Sequence, residues 1–138
     1  MALDYDRVRR HTAAEVLRRI DDDTAARLES RASAGPAAIG ERLSALEREW
    51  DTDRTIEAEA SVVALAGLAL GVLVRPAFLA VPAVVGAAVL AHAVSGWYPL
   101  LPVLRRLGVR TAREIERERY ALKALRGDFQ GMEADAPR

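Results

Sequence analysis

The sequence contains no cysteine, and aromatic residues make up only 5% of its 138 residues. Without a thiol the chain can form no disulfide, no thiolate nucleophile and no thiolate metal site, a composition that suits a reducing compartment. Metal chemistry would have to use His11, His92 and carboxylates. The 20 basic and 20 acidic residues cancel, so no overall charge attracts the chain to nucleic acid or to acidic substrates. The opening residues MALDYDRVRRH lack an apolar segment, and we expect no cleaved signal peptide.

Charge is also missing from the middle of the chain. Residues 60–74 contain no charged side chain, Arg75 follows, and residues 76–104 again contain none. A bilayer core about 30 Å thick needs roughly 20 apolar helical residues. The second segment exceeds that length, whereas the first reaches it only if Glu57 and Glu59 extend toward the lipid headgroups.

We therefore predict an all-α fold, a transmembrane helical hairpin of two spans with amphipathic cytoplasmic helices before and after it. Arg75-Pro76 would form the turn, because proline disfavours helix in the residue before it and suits a first helical turn. The expected parts are N-terminal cytoplasmic helices in residues 1–55, the hairpin in 56–104, a C-terminal cytoplasmic amphipathic helix in 105–130 and a disordered tail in 131–138. The alternative is a soluble all-helical dimer or bundle that buries both apolar helices, although so short a chain has few other helices to enclose them.

The basic residues predict the orientation of the hairpin. Arginines are frequent before the first span and after the second, whereas the turn has only Arg75, so both termini are expected in the cytoplasm. Aromatic side chains and arginines at the end of the second span are expected to anchor it at the membrane surface and to contact lipid phosphates. These predicted interface anchors are Trp97, Tyr98, Arg105 and Arg106.

Small residues recur at a spacing of four along both apolar segments. Gly67 and Gly71 form a GxxxG pattern in the first segment, and Ala83, Ala87 and Ala91 form a ridge in the second. Membrane helices associate by close approach, which small residues permit. The ridges predict helix packing either within one hairpin or between copies of the chain.

His92 is the only residue between Arg75 and Arg105 that can be charged near neutral pH. An ionisable side chain inside a membrane usually has a partner and often a function. Two interpretations follow from its position near Trp97. Its ring hydrogen-bonds Ser95 or a carbonyl near the interface, or it binds a ligand or a proton.

Amphipathic helices are predicted on both sides of the apolar segments. Capping-box patterns, TAAE from Thr12 and TARE from Thr111, predict helix starts. The residues 21–23, all aspartate, predict a break or a new helix cap before Thr24, and Gly35 and Gly127 predict helix ends. Apolar side chains at helical spacing form a cytoplasmic stripe that we expect to pack together or against a second copy. The stripe consists of Ile39, Leu43, Leu46, Trp50, Ile115, Leu122, Leu125 and Phe129.

The stretch GWYPLLPVLRRLGVRT, together with the glycine-rich apolar segments, resembles the YgaP-like inner-membrane transmembrane domain family. Members are small bacterial helical hairpins, sometimes fused to a rhodanese sulfurtransferase domain, and some longer ones have elements similar to EREWD and ERYALKALRGDF. The resemblance implies a location in the bacterial cytoplasmic (inner) membrane and dimerisation through the hairpin. Members commonly read GWCP where this chain has Tyr98, so the thiol needed for direct persulfide transfer is absent.

The function expected from these patterns is a non-catalytic integral membrane module. It would contact the lipid bilayer, form a homo-oligomer, most simply a dimer, and present its cytoplasmic helices to a partner such as a separately encoded rhodanese-type sulfurtransferase. An alternative is a conduit for a small solute or anion between hairpins, lined by His92 and Arg75. No cofactor is expected, and the sequence has no HExxH or P-loop pattern or evident Ser-His-Asp set, so we expect no enzyme. Arg7, Arg9 and Arg10 stand beside acidic residues and give little support for nucleic-acid binding.

Overall fold

The computed structural model describes residues 6–130, of which 81% are helical and none lies in a β-strand. The helices are α1 (Arg7–Arg10), α2 (Ala14–Ala34), α3 (Pro36–Arg48), α4 (Thr52–Leu73), a 3-10 helix (Pro76–Leu79), α5 (Ala80–Ser95), α6 (Leu101–Arg106) and α7 (Ala112–Arg126). The predicted tail, residues 131–138, lies outside the described residues.

The chain divides into two compact units. Unit 1 contains the described residues up to Leu17 and the segment Trp50–Thr111. Unit 2 contains Arg18–Glu49 and residues 112–130. Unit 1 therefore holds both apolar helices, and unit 2 holds α3, α7 and most of α2.

In unit 1, α4 and α5 pack against each other. Helix α4 begins at a capping residue, since the Asp51 carboxylate accepts the backbone N–H of Arg54 at 2.7 Å. After α4 ends, Arg75 is extended and Pro76 opens the 3-10 helix, in line with the geometry that each residue favours. The turn is therefore short and leads directly into α5.

Both apolar helices remain largely exposed within the chain. By length and composition, two helical stretches could cross a membrane, Pro36–Leu73, which includes α3 as well as α4, and Pro76–Ser95. Helix α5 has no buried residue, and apolar side chains such as Leu65, Val72 and Val94 are about two-thirds or more exposed.

A small core in unit 1 joins the charged end of the two apolar helices to the segments around them. Val8 of α1, Ile56 of α4, Tyr98 and Leu101 are buried together. Thr52 adds two hydrogen bonds to the carbonyl oxygen of Arg110, from its backbone N–H at 2.8 Å and from its hydroxyl at 3.1 Å. The start of α4 is thus fixed to the segment that follows α6.

In unit 2, α3 packs against α7 through the predicted stripe. Its buried members are Ile39, Leu43, Leu46, Ile115 and Leu122, with Leu28 of α2 at the edge of the cluster. The other members lie outside this core. Trp50 follows the end of α3 and is exposed beneath the Arg54 guanidinium, whereas Leu125 is exposed and Phe129 stacks on Tyr120.

A buried carboxylate also connects the helices of unit 2. Glu118 of α7 accepts two hydrogen bonds from Arg42 of α3, at 2.7 and 3.1 Å. The guanidinium of Arg27 of α2 lies 3.7 Å from the same carboxylate. Buried carboxylates need such partners because desolvation otherwise penalises the charge.

Two local predictions were wrong. The residues 21–23 were expected to break a helix, but they lie on the exposed surface of the continuous α2, where each aspartate costs about 0.7 kcal/mol or less in helix propensity. The Thr12 hydroxyl was expected to cap a helix, but it donates to the Val8 carbonyl at 2.9 Å. The expected ends at Gly35 and Gly127 are confirmed, each with a positive φ, as is the start of α7 directly after Thr111.

Candidate functional site

Polar side chains of unit 1 meet where α4 begins and α5 ends. Nε2 of His92, in the last turn of α5, lies 3.0 Å from Oδ1 of Asp53, in the first turn of α4. Both residues suit their positions, because the helix dipole favours an acidic side chain such as Asp53 at the N-terminus and a basic one such as His92 at the C-terminus. His92 therefore lies beside the charged start of α4 and pairs with a carboxylate rather than with Ser95.

The His92–Asp53 contact restricts the tautomer of the imidazole. An ionised carboxylate only accepts hydrogen bonds, so Nε2 donates. Nδ1 is buried and has no hydrogen-bond partner within residues 6–130. Nε2 therefore carries the proton that is shared with Asp53.

A second polar pair lies next to the first. Tyr98 is 4% exposed, and its hydroxyl donates to Oε2 of Glu59 at 2.7 Å. Its ring meets the His92 ring edge-on, with centroids 6.0 Å apart. Burial, the hydrogen bond to Glu59 and the negative charge of Glu59 raise the pKa of Tyr98 from 10.0 to about 12. Tyr98 was predicted as an anchor at the membrane interface, and the structure places its side chain inside unit 1.

Gly96 is required at the end of α5 for two reasons. Its φ is +81°, a conformation that other residues adopt only with strain, and a Cβ there would be 2.5 Å from the Cβ of Arg7. This close approach lets Arg7 donate to the carbonyl oxygens of Ala93 and Val94. His11 contacts the carbonyl of Ser95 at 3.2 Å. The N-terminal segment thus caps the carboxyl end of α5.

Arg105 is buried in unit 1, although it was predicted to contact lipid phosphates. Only 1% of the surface of Arg105 is exposed. Nε donates to the Thr12 hydroxyl at 3.1 Å and Nη1 to the Val109 carbonyl at 2.9 Å. Among the other predicted anchors, Trp97 and Arg106 are exposed. An anchoring role remains a prediction for these two residues.

The two ridges of small residues lie in different environments. Gly67 and Gly71 are buried within the chain, where α5 and the 3-10 helix cover them. Ala83 and Ala87 are exposed, and Ala91 is half-buried. The GxxxG pattern therefore serves packing inside one chain, while the alanine ridge of α5 is left uncovered by it.

The residues around His92 do not form a reactive or metal-binding group. Ser95, the hydroxyl nearest to His92 in sequence, donates to the Ala91 carbonyl and accepts from the N–H of Trp97, so it is not poised as a nucleophile. Within residues 6–130, no three histidine or acidic side chains are grouped to hold a metal ion. Arg75 lies at the turn, 17 residues from His92, or about 25 Å along a helix, so one chain does not bring the two predicted conduit residues together.

Sequence reasoning missed the partners of these residues. Asp53, Glu59 and Thr12 pair with side chains for which other surroundings were predicted. His92 was expected to bond Ser95 or a carbonyl or to bind a ligand or a proton, and Tyr98 and Arg105 were expected at the membrane surface. One signal was available, because a hairpin that turns at Arg75 brings the first turns of α4 beside the last turn of α5. The Thr12–Arg105 pair had no comparable signal, since 93 residues separate the two.

The chain was compared with models of protein families, with curated proteins and with solved structures, and it matches none of them.

Proposed function

We propose that this protein is a non-catalytic integral membrane module in which α4 and α5 cross the bilayer as a hairpin. In this proposal, the chain forms a homo-oligomer and presents the helices of unit 2 to a cytoplasmic protein partner. The apolar helices cross the bacterial inner membrane with both termini in the cytoplasm. The observation that carries the proposal is the exposure of α4 and α5 within the chain.

The exposed apolar surface of α4 and α5 supports insertion into a membrane. Soluble monomers rarely expose large contiguous apolar patches, and those that occur usually mark a membrane or protein contact. Here α5 has no buried residue, and most large side chains of α4 beyond Ser61 are exposed. Both segments are helical, so most of their backbone polar groups are paired within the segment, as a hydrocarbon environment requires.

The lengths of the helices suit a thin or locally thinned bilayer. The charge-free part of α4, residues 60–73, measures about 21 Å, and Pro76–Ser95 measures about 30 Å. Glu59 accepts from Tyr98 instead of extending outward, which limits how deeply α4 can insert. Bilayers accommodate such mismatch at a modest cost by thinning around the protein.

The exposed alanine ridge of α5 supports the proposed oligomer. Because Gly67 and Gly71 are covered within the chain, a seam between copies would use Ala83 and Ala87, whose small side chains permit close approach.

The resemblance of GWYPLLPVLRRLGVRT to the YgaP-like family motivates the proposed partner, a separately encoded sulfurtransferase. The chain has no cysteine, so it would position such a partner at the membrane and would not itself carry sulfur.

Two experiments test the proposal, extraction of the protein from membranes and labelling that reports its topology. Membranes from cells that express the protein are washed with alkaline carbonate and, separately, with urea at neutral pH. A cysteine is introduced as Ala77→Cys in the turn, or as Ser44→Cys in unit 2 as the matched control, and labelled with an impermeant thiol reagent in intact cells. Because the natural chain has no cysteine, each variant reports one position.

The proposal predicts that the protein stays in the membrane pellet and that Ala77→Cys is labelled from outside while Ser44→Cys is not. Release into the supernatant by both washes would show that another protein chain covers the apolar helices, as in the soluble all-helical dimer. Labelling of Ser44→Cys from outside would reverse the orientation.

A further inference from the structure

An open groove of about 310 Å³ lies in unit 2 between α3 and α7. Leu43 of α3, which is buried, forms its apolar floor. One wall consists of Arg119, Lys123 and Arg126, which share one face of α7 because they are spaced by four and three residues. The groove therefore combines a cationic wall with an apolar base.

The two arginines are held in position by acidic neighbours and still have donors to offer. Arg126 donates from Nε and Nη2 to the Asp128 carboxylate, at 2.7 and 2.5 Å. Its Nη1 points toward α3, where a Cβ added to Gly40 would be 4.0 Å away. Arg119 donates from Nη1 to Glu116. A guanidinium has five N–H donors, so both side chains can bind an anion without losing these partners.

Lys123 is the only lysine in the sequence. Within residues 6–130 its ammonium makes no ion pair closer than 4.0 Å, although Asp128 is near enough to feel its charge. A lysine ammonium is a compact charge with three donors, and it is a common phosphate ligand. It stands between the two arginines on the wall.

The opposite wall leaves room and adds a hydroxyl. Gly40 contributes no side chain, and Ser44 lies one turn further along α3. Five other hydroxyls, those of Thr12, Thr24, Thr55, Ser61 and Ser95, donate to the carbonyl four residues earlier. In the described part of the chain the Ser44 hydroxyl makes no such bond, which leaves it available. Glu47 is the only acidic residue of the lining.

We infer that this groove binds the phosphate group of a small phosphorylated molecule or of a lipid headgroup. Three cations and one hydroxyl donate to the phosphate oxygens, and Leu43 contacts the apolar part of the ligand. This inference does not depend on the proposed membrane function, because it rests on residues of unit 2 alone.

The single lysine makes the test specific. The full chain, in micelles of an uncharged sugar detergent, is reductively methylated with isotopically labelled methyl groups, which keep the ammonium charge and report only Lys123 and the N-terminal amine by NMR. Glycerol 3-phosphate is titrated with glycerol as control, and phosphatidylglycerol with diacylglycerol as control.

A saturable shift of the Lys123 signal by a phosphate compound, and not by its control, is the expected result. A response to glycerol 3-phosphate indicates a soluble ligand, and a response to phosphatidylglycerol alone indicates a headgroup. Arg126→Gln, which removes a charged donor, should weaken binding about tenfold. Gly40→Leu, which fills the groove with a good helix former, should do the same without lowering the melting temperature.

Arg117→Gln is the matched control, because it removes an exposed charge of α7 outside the lining. It should change affinity less than about twofold. The inference is overturned if neither phosphate compound shifts the signal saturably, or if Arg117→Gln weakens binding as much as Arg126→Gln.

Discussion

Gly67 of α4 lies directly against Val81 of α5, so that a Cβ added to the glycine would be 2.6 Å from the valine Cβ. A Cβ added to Gly71 would be 2.5 Å from the Leu79 side chain and 3.0 Å from its backbone nitrogen. These two contacts leave no space for a larger residue along the seam. The packing of α4 on α5 thus depends on the absence of two side chains.

Gly67→Leu should separate α4 from α5. Overpacking of a close contact costs about 1–3 kcal/mol, and here the backbone itself must move. Thermal melting of the protein in micelles, followed by circular dichroism, should show a clearly lower midpoint. Ala66→Leu, at the neighbouring exposed position, should melt like the natural protein. Equal midpoints for both variants would mean that the seam is not closed in solution.

Arg105→Ala should destabilise unit 1 by about 3 kcal/mol, because it leaves the Thr12 hydroxyl and the Val109 carbonyl without their donor. Arg113→Ala, an exposed arginine, should change stability by about 0.5 kcal/mol or less. Chemical denaturation in micelles compares the two. If Arg105 served mainly as a lipid anchor, its removal would lower binding to anionic vesicles and leave the stability unchanged.

Glu118→Leu should destabilise unit 2 by about 1–3 kcal/mol, because the partly buried Arg42 would lose its shortest carboxylate contact and keep only Glu49, at 3.4 Å. Glu116→Gln tests an exposed pair of the same helix and should cost about 0.5 kcal/mol or less. Hydrogen exchange of α3 and α7 measures the difference locally. Unchanged protection of both helices in Glu118→Leu would show that the apolar core suffices.

Tyr98 should make stability depend on alkaline pH. Its pKa is higher in the folded protein, about 12, than the ordinary value of 10.0, so the folded state favours the protonated phenol. Its contribution is therefore complete below pH 10 and is lost as the pH rises toward 12. Stability measured across this range should fall more steeply in the natural protein than in Tyr98→Phe. Tyrosinate absorbance should show a late-ionising tyrosine that the variant lacks, and identical titration of both proteins would contradict the buried hydrogen bond.

Ala87→Cys should form disulfide-linked dimers in oxidised membranes if copies meet along the exposed ridge of α5. Ala66→Cys, exposed on α4, is the matched control and should remain monomeric on a non-reducing gel. Crosslinking at Ala66 but not at Ala87 would show that copies meet along α4 and not along α5. Crosslinking at neither position would remove the proposed contact between apolar helices.

Local chemistry made much of the helical arrangement predictable. Pro76, Gly35 and Gly127 each restrict or permit backbone angles on their own, so the helix ends near them follow from residue identity. The packing of Ile39 with Ile115 likewise follows from helical spacing and the need to bury apolar surface.

Pairings between distant residues could not be predicted in the same way. Arg105 and Tyr98 look like exposed polar residues from their neighbours in sequence, and only folding brings Thr12 and Glu59 to them. The helix break predicted at residues 21–23 was wrong for a different reason. Their weak preference against helix was outweighed by α2 as a whole, with Val16 and Ile20 buried.

The contact of Arg105 with Thr12 also orders events during synthesis. Thr12 is synthesised 93 residues before Arg105. Arg7 is synthesised 86 residues before Ala93, whose carbonyl it contacts at the end of α5. The first residues of unit 1 therefore remain without their native neighbours until both apolar helices have been made. A nascent chain halted before the end of α5 would leave residues 7–12 open to proteases, and completion of α5 and α6 would protect them.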